Sequence, residues 1–97
     1  MKIKVTQTWS IIDHVTKYGD FKGEYEVRRI KHDEDVDVYE VDEGQTFDEF
    51  VQRFMWTMNG MIDDCYQFAT RQTAPDWEML VYKDDEGNTY SISFEVA

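Results

Sequence analysis

Three kinds of side chain here could do chemistry: one thiol, two imidazoles and many carboxylates. Cys65 with His14 or His32 is the one combination that could supply a nucleophile and its base. Cys65, however, falls among apolar residues at helical spacing, where a cysteine behaves as a small buried hydrophobe, and neither histidine has the neighbours of a triad. Asp33, Asp35 and Asp37 suggest a calcium loop. Such a loop needs glycine at its sixth position and a bidentate glutamate at its twelfth, and counting from Asp33 those positions hold Val38 and Gly44. Asp84, Glu86 and Asn88 sit around Gly87 as ordinary turn chemistry. No glycine-rich phosphate loop is present, since Gly19 and Gly23 flank a turn and Gly60 lies within a helical pattern. The expectation is no catalytic residue, no metal site and no cofactor: a protein that is not an enzyme.

The carboxylates remain. From Asp33 to Glu49 the chain carries nine acids and no Lys or Arg. Residues 1–31 have a net charge of +3 and residues 32–97 a net of −14, which together give −11. If Asp35–Asp42 is a strand, Asp35 and Asp37 share one face and Glu40 and Asp42 the other, with same-face neighbours about 6.6–7 Å apart. Asp42, Glu43, Asp48 and Glu49 continue the charge into the start of a helix, where the last two complement the helix dipole. Like charges this close repel. A solvated acidic face that keeps the protein soluble is one reading. The other is a row of carboxylates presented to a partner's Lys and Arg side chains, in a groove that otherwise holds phosphates. On that reading Asp33, Glu34, Asp35, Asp37, Glu40, Asp42 and Glu43 are the contact residues.

The charge also selects partners. A chain of 97 residues at −11 has no attraction for nucleic acid or for an anionic membrane surface. A basic protein is the expected partner, with a nuclease or other nucleic-acid-binding enzyme as the natural class. In size and charge the chain is similar to small virus- or plasmid-encoded inhibitors of nucleases and other host defence enzymes. That class includes nucleic-acid mimics, anti-restriction proteins and anti-CRISPR proteins. The similarity implies an inhibitor or decoy and carries over no individual residue. An antitoxin or immunity protein against a basic toxin uses the same physics. An accessory subunit assembling through an apolar surface is the alternative from a different class, with Trp9, Trp56 and Trp77 as its candidate contacts. A lone cysteine excludes an intrachain disulfide framework. With no signal-like apolar run and no span of about 18 apolar residues, a cytoplasmic location is expected, as a monomer or a homodimer.

The elements that must position these residues read as an α+β fold: one domain over residues 1–97, with an antiparallel sheet of about five strands packed on one long amphipathic helix. Ile3 and Val5 alternate with Lys2, Lys4 and Thr6 as a half-buried strand. Residues 10–18 fit either a short helix capped by Ser10 or a continued strand, with the helix slightly preferred. Residues 24–29 and 35–41 flank His32-Asp33-Glu34 as a hairpin, and residues 77–82 and 89–94 flank Asp84–Asn88 as a clearer one. Thr46 and Glu49 form a capping box. From it Phe47, Phe50, Val51, Phe54, Met55, Met58, Met61, Ile62, Cys65, Tyr66 and Ala69 recur at spacings of three and four. Unbroken to Arg71, that helix would be about 38 Å long, so a bend at Asn59-Gly60 is expected.

Overall fold

The computed structural model describes residues 1–20, 22–60, 62 and 64–97. In chain order the elements are β1 (Lys2–Asp20), β2 (Gly23–Glu40), α1 (Phe47–Met58), β3 (Gln67–Ala74), β4 (Trp77–Lys83) and β5 (Thr89–Val96). The strands form one antiparallel sheet in the order β2-β1-β5-β4-β3. The architecture is α+β, with five strands and one helix among the described residues.

Period-two alternation decides which face is covered. Ile3 and Val5 of β1 share a face with Tyr90, Ile92 and Phe94 of β5 and Tyr82 of β4, and all six are buried. Val51 and Met55 of α1 close over them. Phe94, fully buried, meets Phe54 and Phe50 edge-on at centroid distances of 5.4 and 6.3 Å. Tyr39 of β2 meets the same two rings at 5.6 and 5.8 Å, which ties the outer strand to the helix.

The helix is twelve residues long, not a bent rod reaching Arg71. Its start is as the sequence indicates: Thr46 Oγ1 accepts the Glu49 N–H at 3.2 Å, although the reciprocal half of the capping box is not made. It ends at Met58, where the Asn59 N–H donates to the Met55 carbonyl. Beyond it, Gln67–Ala74 pair with β4. Cys65 and Ala69 therefore keep helical spacing by coincidence. Cys65 is exposed in the turn before β3, not on a buried stripe. Met61, placed on the stripe, and Asp63, placed opposite it, lie outside the described residues.

Two further expectations are corrected at the other edge. Residues 10–18 are strand, and His32-Asp33-Glu34 is not a turn but the middle of β2. The reason is one long ladder: β1 pairs with β2 from Lys2↔Glu40 to Asp20↔Gly23, with a single bulge between Ile12 and His14, and this outweighs the local turn preference of His-Asp-Glu. The two histidines consequently lie within strands and not near turns.

Because β5 pairs with β1 only from Ile3 to Ser10, residues 11–20 of β1 and 23–31 of β2 continue as a two-stranded arm. The molecule is 65 Å long with a radius of gyration of 17.4 Å, against about 13 Å for a compact chain of this length. At the arm's base Asp13 is an extra residue in β1, between Ile12↔Ile30 and His14↔Arg29, and its carboxylate pairs with Arg29. The tip of the β4–β5 hairpin braces this point. The Ile12 N–H donates to Asn88 Oδ1 at 2.7 Å, and Asn88 Nδ2 donates to Asp84 Oδ2 at 2.8 Å. Further out, Tyr18 stacks on Tyr25 at 5.3 Å, and on the opposite face Glu26 pairs with Lys17 and Arg28.

One buried charge tests the far side of the core. Glu78 is buried on the helix-covered face, and its carboxylate pairs with Arg71 of β3, whose Nε donates at 2.7 Å. Removing the guanidinium leaves a desolvated carboxylate unpaired. Arg71→Met is expected to cost about 1–3 kcal/mol in urea denaturation, and Glu78→Gln in the same chain should recover most of it.

The tyrosines make the core sensitive to alkali. Burial, and then the neighbouring Tyr82, push Tyr90 up to about 12; its hydroxyl donates to Gln7 Oε1 at 2.8 Å. Burial also raises Tyr82. The fold favours the neutral phenols, so their contribution is complete below the free-chain value of about 10 and is lost as pH rises through the folded value. The urea midpoint should therefore fall between about pH 10 and 12, and Tyr90→Phe should shrink that fall.

Candidate functional site

The acidic row lies on an open edge of the sheet. β2 is paired on one side only, with β1, and all of its residues are exposed. Its register sorts the charges by face. Asp33, Asp35 and Asp37 stand opposite Trp9, Gln7 and Val5, on the face that α1 covers further in; Glu34 and Glu40 stand opposite Thr8 and Lys2 on the other face. The strand ends at Glu40, so Asp42 does not share a face with it. Asp42 and Glu43 instead project from the turn into α1, where Gly44 takes a φ of 86° and the Gln45 N–H donates to the Asp42 carbonyl. Asp48 and Glu49 follow in the first helical turn.

All seven expected contact residues are thus exposed along one edge and its adjoining turn. Among the described residues none of the seven side chains makes an ion pair. Their field is felt locally: Tyr39 is raised by burial first, then by Asp37 and Asp35. The spacing of Asp33, Asp35 and Asp37 on one face, about 6.6–7 Å between neighbours, resembles a strip of backbone charges more than a chelating cluster. Three carboxylates spread along a strand cannot converge on one ion, and among the described residues no group of three or more His, Cys, Asp or Glu is placed to hold a metal.

The other candidates separate. His32 Nδ1 lies 2.8 Å from Ser10 Oγ in the middle of the β1–β2 ladder, while Cys65 sits before β3 at the opposite edge. At the hairpin tip, Asp84 accepts hydrogen bonds from the backbone N–H groups of Glu86 and Asn88 and from the Asn88 amide. Desolvation alone would raise this carboxyl, but these hydrogen bonds outweigh it and hold Asp84 below its ordinary value. The tip braces the arm through these bonds.

No protein-family model, curated protein or solved structure matches this chain. Among the described residues, no helix is long and apolar enough to cross a membrane.

Sequence reasoning missed the other half of the same edge. Tyr25, Val27 and Ile30 of β2, and Ile11, Val15 and Tyr18 of β1, are exposed apolar residues on the arm. Local pattern assigns Ile11, Val15 and Tyr18 to a short helix or a continued strand and Tyr25 and Val27 to a short hairpin strand, with no exposed arm. The available signal was that apolar residues occupy both parities of 11–18 and 25–30, which a one-sided sheet cannot bury on a single face. Of the three tryptophans, Trp9 and Trp77 are partly covered and Trp56 is 82% exposed on the outer side of α1.

Proposed function

We propose that this chain is a small acidic protein-binding module that inhibits a basic nucleic-acid-handling enzyme by occupying its phosphate-binding groove, as virus- or mobile-element-encoded anti-defence proteins do. The observation that carries this reading is the row Asp33, Asp35 and Asp37 on an exposed sheet edge, continued by Glu40, Asp42 and Glu43, with no ion pair among the described residues. A strip of carboxylates repels itself, and a partner rich in Lys and Arg relieves that repulsion on contact. Such a row could bind an enzyme's nucleic-acid groove without offering a scissile bond. The module itself acts by occupancy and needs no catalytic group, metal or cofactor.

The test is capture from a cytosolic extract at low salt, followed by elution with double-stranded DNA. A nucleic-acid-binding enzyme that DNA displaces, and whose activity the chain suppresses, supports the decoy reading. A partner that DNA leaves bound would contradict it.

A further inference from the structure

The acidic row leaves two features of β2 unexplained. One is the arm: two-stranded ribbons are marginal in water on their own, and this one exposes Val15, Tyr18, Tyr25, Val27 and Ile30. The other is a reversal of charge along a single strand. From Gly23 to Lys31, β2 carries three bases and two acids, and from Asp33 to Glu40 five acids and no base. We propose that a second copy of this chain pairs with β2, antiparallel and edge to edge about a twofold axis at His32. Each copy's basic, apolar arm then lies along the acidic half of the other.

The backbone permits this register. The Val41 N–H donates to the Met1 carbonyl at 2.8 Å, directly opposite in the continuation of the Lys2↔Glu40 pairing. Odd-numbered positions of β2 therefore turn their backbone groups to β1, and the even-numbered ones from Glu24 to Glu40 turn theirs to the open side. A twofold axis at His32 sets even positions against even positions, so open donors and acceptors meet. The odd positions become the non-hydrogen-bonded pairs, whose Cα atoms approach to about 4.5 Å. On that face Arg29 meets Asp35, Lys31 meets Asp33 and Tyr25 meets Tyr39 of the second copy. Sliding by one residue along each strand sets Lys31 against Lys31 or Asp33 against Asp33, so charge fixes the alignment. The like pair Glu24 and Glu40 falls at the outermost ends.

Edge strands are usually guarded by proline or a bulge. β2 has neither, since the bulged residue, Asp13, is on β1. Its charges deter an arbitrary strand but fit its own reversed copy. Where the basic-partner reading also holds, the second copy's arm and the basic partner compete for one edge. The oligomeric state is measured on the chain alone, so its outcome stands apart from that reading.

The experiment is light scattering and sedimentation of the purified full chain and two variants, one carrying Arg29→Asp with Lys31→Asp and the other Asp33→Lys with Asp35→Lys. The wild type should have twice the 11.6 kDa chain mass. Each variant alone should self-associate about a hundredfold more weakly, because every central pair becomes like-charged. An equimolar mixture should regain the dimer, since all four central pairs are then opposite in sign. A monomeric wild type, a variant that still dimerises alone, or a mixture that stays monomeric would overturn the proposal. Should either variant fail to fold by circular dichroism, His32→Cys in a Cys65→Ser chain decides. Two residues meeting at the axis are about 5.5 Å apart, within disulfide reach. Oxidation should yield a covalent dimer there and none from Glu26→Cys; a His32→Cys chain that does not cross-link would equally overturn the proposal.

Discussion

Replacing Asp35, Asp37, Glu40 and Asp42 together by lysine is expected to weaken capture of a basic partner by at least about a hundredfold, because several favourable contacts become like-charge contacts. The four side chains are exposed and make no ion pair among the described residues, so the far-ultraviolet circular dichroism should not change. At concentrations low enough that the chain is monomeric, the thermal midpoint should move little or rise, since self-repulsion along the edge is relieved. Exposed ion pairs are individually worth only about 0–1 kcal/mol, so single reversals should have graded effects, and the loss should accumulate with each substitution. Undiminished binding by the fourfold variant would leave the acidic edge as a solubility device.

The second large effect is on the fold that presents this edge. Phe94→Ala should destabilise the protein by about 3–5 kcal/mol in urea denaturation. A small domain has a total of about 5–15 kcal/mol, so this one substitution would remove between about a fifth and all of it. Phe94 is fully buried and holds the edges of both Phe50 and Phe54, the two rings against which Tyr39 anchors β2. Phe94→Leu, which keeps most of the volume, should cost far less. A small loss in the alanine variant would mean that α1 is not packed on the sheet as described.

What the residues disclose in advance follows from how local each signal is. The start of α1 was legible because Thr46 and Glu49 act within a single turn. The β4–β5 hairpin was legible because Asp84, Gly87 and Asn88 build its turn from their own side chains and backbone. The end of α1 was not: Cys65, Tyr66 and Ala69 extend a spacing of three and four after the helix has stopped at Met58. β3, with Gln67, Thr70, Gln72 and Thr73, is an exposed edge strand without apolar alternation. The continuity of β2 through His32, Asp33 and Glu34 was hidden for the opposite reason, since it depends on the distant strand β1. The candidate site shows the same division. Its seven carboxylates could be named from the charge pattern, whereas their sorting by face and the arm beyond them depend on register.

The most direct test of the acidic edge as a recognition surface is the affinity of the purified chain for the enzyme it captures, measured across a salt series. Charges on an exposed edge are screened over a Debye length of about 10 Å at 0.1 M salt. Affinity is expected to fall at least about tenfold between roughly 0.05 and 0.5 M salt, mainly through slower association. The fall should flatten in a chain carrying Asp33→Asn, Asp35→Asn and Asp37→Asn. An affinity that holds constant across the series, or a slope unchanged by those three substitutions, would contradict it.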